Sequence, residues 1–209
     1  MADDGVKKAP LGKRLRGRTR TEIFRLADRL YRREAALKGV QFEEGAGVEG
    51  RPNIQILEGE VIVRRDAILR SRDYCYHARI QPVRLLVDAP GARIEIGEGS
   101  RINGAAIHAQ STITIGRHTY IASGTTIIDV HGHAMDPHAR ARGERDQPLP
   151  VRIGDRAWIG LGVLILKGVE IGDDCTVAAG SIVTKSLPSA TLCAGQPARP
   201  IRSLNTKKP

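Results

Sequence analysis

Aromatic residues are scarce: the 209-residue chain has two Phe, four Tyr and one Trp, about 3% of its length. Its core must therefore be filled by Ile, Val, Leu and Ala. No stretch approaches the ~20 apolar residues that a bilayer-spanning helix needs. The opening, MADDGVKKAP, lacks the apolar run of an export signal, so a cytoplasmic protein is expected. Cysteine is nearly as rare. Cys75, Cys175 and Cys193 are odd in number and widely spaced, with no CxxC pair, so neither a disulfide framework nor a zinc site is expected. Hydrophobic residues, at 41%, still suffice for one large domain, alone or with an appendage.

Positive charge is in excess, with a formal net charge of +10, but it is unevenly placed. Residues 1–40 hold 12 Lys/Arg against 5 Asp/Glu, which leaves only +3 for the remainder. No aromatic platform accompanies these cations, so nucleic acid is not an expected partner. Residues 1–18 read as a disordered basic arm. Thr19 with Glu22 forms a capping box that predicts a helix start, and Gly39 is its expected stop. Ile23, Leu26, Ala27 and Leu30 make one apolar face, with Arg25, Arg29, Arg32 and Arg33 off it. That face is expected to cover the end of the main domain; the alternative is peripheral contact with an anionic membrane. The division expected is an arm and helix in 1–40, a main domain in 41–202 and a tail in 203–209.

What the main domain has in abundance is period six. Aliphatic residues recur at Ile153, Ile159, Ile165, Ile171, Val177 and Val183, and a small or β-branched residue follows four places later at Ala157, Val163, Val169, Cys175 and Ser181. The same pairing is read at Leu57/Val61, Val63/Ala67, Ile96/Ser100, Ile102/Ala106, Ile115/Thr119 and Ile121/Thr125. Four extended residues and a two-residue corner make one flat side; three sides make an 18-residue coil, stacked on the next by parallel ladder bonds. The glycines at 97, 116, 154, 160 and 172 are expected to supply the corner dihedrals. Strand–helix alternation is excluded, because no 10–15-residue helical stretch lies between 85 and 187. Two breaks interrupt the register. Ile102 to Ile115 is one residue too long, and between Ile127 and Ile153 the polar run DVHGHAMDPHARARGERDQPLP leaves the coil as a loop over 129–150. Long loops on a rigid repeat usually carry function.

The run IGDRAWIGLGVLILKGVEIGDDCTVAAGSIVTKSLPSATLCAGQPARPIR resembles the galactoside/maltose O-acetyltransferase-like group of hexapeptide-repeat acyltransferases. The segment IIDVHGHAMD resembles that group's catalytic-histidine loop, and the likeness covers about residues 94–202. It implies an all-β fold, a left-handed parallel β-helix, against the usual right-handed crossover. It also implies a homotrimer that binds acetyl-CoA between subunits, and a sugar or glycan hydroxyl as acceptor. No metal is required.

By position in the motif, His133 falls on the catalytic histidine, suited to take the hydroxyl proton. His131 is the competing candidate. Asp129 either orients the imidazole or is a solvated aspartate at the loop start. Asn103 either shapes the acceptor site or forms a turn with Gly104. Trp158 should face outward, beside the cleft or in a subunit interface. The likeness places the pantetheine arm against Ala179 and Gly180, and the CoA phosphates against Thr184, Lys185, Arg199 and Arg202. Leu161 stands where the group often has a small polar residue, so only its backbone N–H is available to an oxyanion. Lys167 is either a solvated corner or part of the site. An amino-sugar N-acetyltransferase on the same fold is the alternative function. A γ-class carbonic anhydrase is disfavoured, since the coil WIGLGVLILKG has no histidine. A catalytically dead trimer would be expected to lose His133. Residues 41–93 and 134–150 are left to shape the acceptor pocket.

Overall fold

The structure, a computed structural model, describes residues 11–72 and 81–204, with helix side chains from residue 21 onward. Cys75, residues 1–10 and the last five residues of the tail lie outside the described part. Period six becomes a three-sided coil, a left-handed parallel β-helix. Ile159 pairs with Val177, Ile153 with Ile171 and Ile165 with Val183, each 18 residues apart. The first face stacks Gly47–Glu49, Ile68–Arg70, Arg101–Asn103, Tyr120–Ile121, Trp158–Ile159, Thr176–Val177 and Thr191–Gly195. An antiparallel strand, Ala198–Ser203, closes its edge. The second face holds Ala106–Ala109, Thr126–Ile128, Leu164–Ile165 and Ile182–Val183; the third holds Thr112–Ile115, Val151–Ile153 and Glu170–Ile171. The long strand Arg84–Ile96 turns from the second face to the third and pairs with both.

The aliphatic residues of the repeat form the core: Ile96, Ile102, Ile115, Ile121, Ile153, Ile159, Ile165, Ile171, Val177 and Val183 are all buried. The position four places on is small for a further reason where it carries a hydroxyl. Ser100 Oγ donates to Gly116 O at 2.7 Å, Thr119 Oγ1 to Gly154 O at 2.8 Å and Thr125 Oγ1 to Gly160 O at 3.1 Å. These buried hydroxyls tie each coil to the next while satisfying themselves.

The glycine column acts differently from the expectation. Corner dihedrals in the left-handed region fall instead on Asp66, Gly99, His118, Arg156, Asp174 and Ala190, each three places before a buried first-face residue. Gly97, Gly116, Gly154 and Gly172 are needed for closeness. A Cβ on Gly116 would lie 2.5 Å from Gly154 C, and one on Gly172 would lie 2.5 Å from Ser189 N. Stacked backbones leave no room there for a side chain.

Three readings of the sequence need correction. Leu57 is 71% exposed, so the Leu57/Val61 pairing fails. Gly59, at φ +93°, lies in an irregular stretch of the strand Asn53–Val63, so period six does not hold through Leu57. Ala105, not Ala106, is the small buried residue after Ile102, and Ile107 is the next inward aliphatic. One corner there is shorter by a residue and the next, at Gln110 and Ser111, is longer by two. Lastly, helix α1 spans Leu11–Leu37, so Thr19 and Glu22 lie inside it and residues 11–18 belong to the helix. Its end before Gly39, at φ +98°, is as expected.

Ile165 is fully buried and Leu57 is not. Ile165→Asp should cost several kcal/mol by burying an unpaired carboxylate, on the order of 2–7 kcal/mol. Leu57→Asp should leave the melting temperature within a degree or two. Thermal denaturation of both variants checks this, and an unchanged Ile165→Asp would mean the register is misread.

Candidate active site

The coil pairs Ile121 with Ile159 and Ile127 with Ile165 across the insertion, so the ladder closes beneath the loop as though it were absent. The loop leaves after the strand Thr126–Ile128 and returns at Val151–Ile153. Its two ends are joined. Leu149 N donates to Asp129 O at 2.8 Å, and Gly168 N donates to Leu149 O at 3.1 Å. Within it a short helix, α2 (Pro137–Ala141), is capped by Asp136, whose Oδ1 accepts from Ala139 N at 2.7 Å. The stretch carrying His138 thus has local structure that its charged composition did not suggest.

Asp129 is buried, and both carboxylate oxygens are engaged: Gln110 N donates at 2.8 Å and Ser111 N at 2.7 Å. The enlarged corner and the loop entrance therefore hold each other. This replaces both sequence readings of Asp129, since it is neither solvated nor bonded to an imidazole. Burial raises its carboxyl pKa, and the two amide bonds, which favour the ionised form, offset this only in part. Lys167 is likewise no free corner. Its ammonium binds the Asp146 carboxylate and donates to Gln147 O at 2.9 Å, fixing the loop's return. Lys167 holds the Asp146 carboxyl below the usual range.

The two histidines are separated by these contacts. His131 has its Nδ1 enclosed and 3.2 Å from the Asp146 carboxylate, off the line of a hydrogen bond. His133 is exposed, whereas the His131 side chain is 31% exposed with only its Nδ1 enclosed. Both imidazoles present some surface, His133 the more.

The remaining candidates form one group and two outliers. Leu161 O accepts from Gly180 N at 2.8 Å, and Gly180 O accepts from Gln196 Nε2 at 2.6 Å. Leu161, Ala179, Gly180 and the turn before Arg199 are thereby stacked on the corner between the first and second faces. Arg199 and Arg202 lie exposed on the closing strand. Thr184 and Lys185 follow Ile182–Val183, at the far side of the second face, and are exposed. Asn103 spends its side chain on the corner: Nδ2 donates to Ile121 O at 3.1 Å. Trp158 is 59% exposed and lies on a strand of the first face, in register with exposed Tyr120. Tyr120 was not singled out from the sequence, although it precedes Ile121 as Trp158 precedes Ile159. A small cleft on the second face, about 200 Å³, is lined by Arg84, Leu86, His108, Thr126 and Ile128 among others. His108 Nε2 lies 2.9 Å from Asp88 Oδ1 there. Among the described residues no cluster of His, Cys, Asp and Glu could hold a metal ion.

Residues 150–185 match the family model described as the hexapeptide repeat of succinyl-transferase. The match covers about two stacked coils. The chain is 40% identical over 118 residues to a galactoside O-acetyltransferase of Escherichia coli, a span covering 56% of the chain and 57% of the relative. It thus spans little more than half the length of the curated relatives it matches. A hexapeptide-repeat acetyltransferase from Vibrio cholerae, complexed with acetyl coenzyme A, is 36% identical with a TM-score of 0.53, over 58% of this chain and 65% of that one. AntD, an N-acyltransferase from Bacillus cereus in complex with dTDP and 3-hydroxybutyryl-CoA, has a TM-score of 0.63 over 84% of this chain and 88% of that one. At 19% identity it shares the fold.

Asp129→Ala should leave two buried amides unpaired, at a cost of about 1–3 kcal/mol each. Because burial raises the Asp129 carboxyl, its contribution is full below the unfolded value of about 3.9 and is partly lost as pH rises through the raised value. Denaturant titrations of wild type and variant should show their stability gap narrowing over that rise. A gap that widens would contradict the burial argument.

Proposed function

We propose that this chain transfers an acetyl group from acetyl-CoA to a hydroxyl of a sugar or glycan-type acceptor, with His133 as general base. The observation that carries this reading is the presentation of His133. A polar loop is fastened at both ends by Asp129, Leu149 and Lys167, and His133 stands exposed on it. Fixed placement of a base is what general-base catalysis needs, because misplacement by an ångström costs orders of magnitude.

In this scheme donor and acceptor bind together. The imidazole of His133 takes the hydroxyl proton as the oxygen attacks the thioester carbonyl. The tetrahedral oxyanion collapses, the C–S bond breaks, and the imidazolium returns its proton to the CoA thiolate. The products are an acetyl ester and free CoA thiol, with no covalent enzyme intermediate. Cys175 and Cys193 are both buried, and burial pushes the Cys175 thiol up to about 12, which suits neither as a nucleophile.

For acetyl-CoA the reading assigns the Leu161, Ala179 and Gly180 corner to the pantetheine arm. Arg199, Arg202, Thr184 and Lys185 are assigned to the phosphates. The separation of Thr184 and Lys185 from that corner by the width of one face supports a site shared between subunits of a homotrimer. Exposed Trp158, Tyr120 and Leu161 give the first face an apolar surface suited to such a neighbour. Asp129 acts in this scheme as a positioning residue, through the loop.

His133→Ala should lower kcat by roughly 10²–10⁴ with acetyl-CoA affinity nearly unchanged, and His131→Ala should cost far less. Thiol release over a panel of sugars and amino sugars, with calorimetric titration of acetyl-CoA, checks both. If His131→Ala is the inactive variant, the base moves two residues; turnover on amino sugars alone would favour N-acetylation. The solution mass should be near three times 22.7 kDa, and a fully active monomer would overturn the shared site.

A further inference from the structure

Helix α1 docks on the N-terminal end of the β-helix through the face opposite to the one its apolar pattern suggests. Asp28 Oδ1 accepts from Gly50 N at 2.9 Å and pairs with Arg72. Arg32 Nε donates to Ala46 O at 2.9 Å and its guanidinium lies over the Phe42 ring. Phe24 packs under the Arg72 guanidinium, and Ala35 is buried. With that polar clamp on one side, the stripe at i, i+3 and i+7 is turned away from the protein. Ile23 and Leu26 are each 61% exposed and Leu30 is 56% exposed. The expectation that this stripe covers the end of the β-helix is therefore corrected.

Alongside the stripe runs a row of three exposed arginines at four-residue spacing, Arg25, Arg29 and Arg33, with no ion pair to any described residue. Asp28 and Glu34 are engaged by Arg72 and Arg51, which leaves Glu22 as the acid on the outer side. An apolar stripe bordered by unpaired arginines is the arrangement of a helix that lies in the plane of an anionic lipid surface. The alternative occupant, the same helix of a second copy, would bring together two segments that each carry 12 Lys/Arg against 5 acids over residues 1–40. Their mutual repulsion disfavours that contact. No helix among the described residues is long and apolar enough to cross a membrane, so contact through α1 stays at the surface.

We propose that α1 docks the protein onto anionic lipid, with Ile23, Leu26 and Leu30 entering the headgroup boundary and Arg25, Arg29 and Arg33 meeting the phosphates. The docked face holds the β-helix while the opposite face holds the bilayer, so one helix serves both without rearrangement.

The test is sedimentation of the full chain with vesicles of phosphatidylcholine containing phosphatidylglycerol, against phosphatidylcholine alone. Binding is expected to the anionic vesicles at low salt, with at least tenfold weakening at about 0.5 M salt, where screening is within a few ångströms. Arg25→Glu with Arg29→Glu and Arg33→Glu, and separately Leu26→Ser with Leu30→Ser, should each lower the partition coefficient at least tenfold. Both variants change exposed residues, so melting temperature and solution mass should match wild type. Absence of binding to anionic vesicles, equal binding to neutral ones, or indifference to either variant would overturn the proposal. A changed solution mass in the leucine variant would overturn it too, by showing that another copy covers the stripe.

Discussion

Everything in this structure depends on how closely one coil lies on the next. Parallel ladder bonds hold neighbouring strands about 4.8 Å apart, and at the corner between the third and first faces the backbones come closer than a methyl group permits. Gly97, Gly116, Gly154 and Gly172 answer that demand, since a Cβ on any of them would overlap the coil stacked on it. Given this spacing, the inward residue of each side must be aliphatic to fill the triangular interior. The residue four places on must be small, or must carry a hydroxyl that reaches the next carbonyl. A side chain that broke either rule would separate the coils and open ladder bonds on all three faces.

The loop over 129–150 is held by the same stacking. Asp129 leaves the second face at the point where the coil below is enlarged by Gln110 and Ser111, and its carboxylate takes both amides. A deviation in one coil is thus matched to an insertion in the next. At the other end, Lys167 rises from the coil above to hold Asp146 and Gln147. His133 is therefore exposed on a loop that is tied to the coils at both ends.

The two ends of the β-helix are finished differently. At the C-terminal side the chain folds back as an antiparallel strand, Ala198–Ser203, and its turn lands on Gly180. At the N-terminal side α1 closes the end with ion pairs and cation–π contacts, together with buried Ala35 and half-buried Tyr31 packed on the core. Because the polar contacts are directional, they set which face of the helix is inward. Its leucines are left for another use.

The repeat, and with it the fold, could be read from the sequence because period six is a local rule: each Ile or Val from Ile153 to Val183 obeys it within its own side. The same is true of the loop and its histidines, which appear as a stretch where the rule lapses. Leu57 could not be placed, since its exposure follows from a bend at Gly59 that lies outside the repeat. The role of Asp129 was equally out of reach, because its amide partners come from the preceding coil, 18 and 19 residues away. The outward turn of Ile23, Leu26 and Leu30 was decided by Asp28, Phe24 and Arg32 meeting Gly50, Arg72 and Ala46. Periodicity reports which side chains share a face, but only contacts between distant segments choose which face is buried.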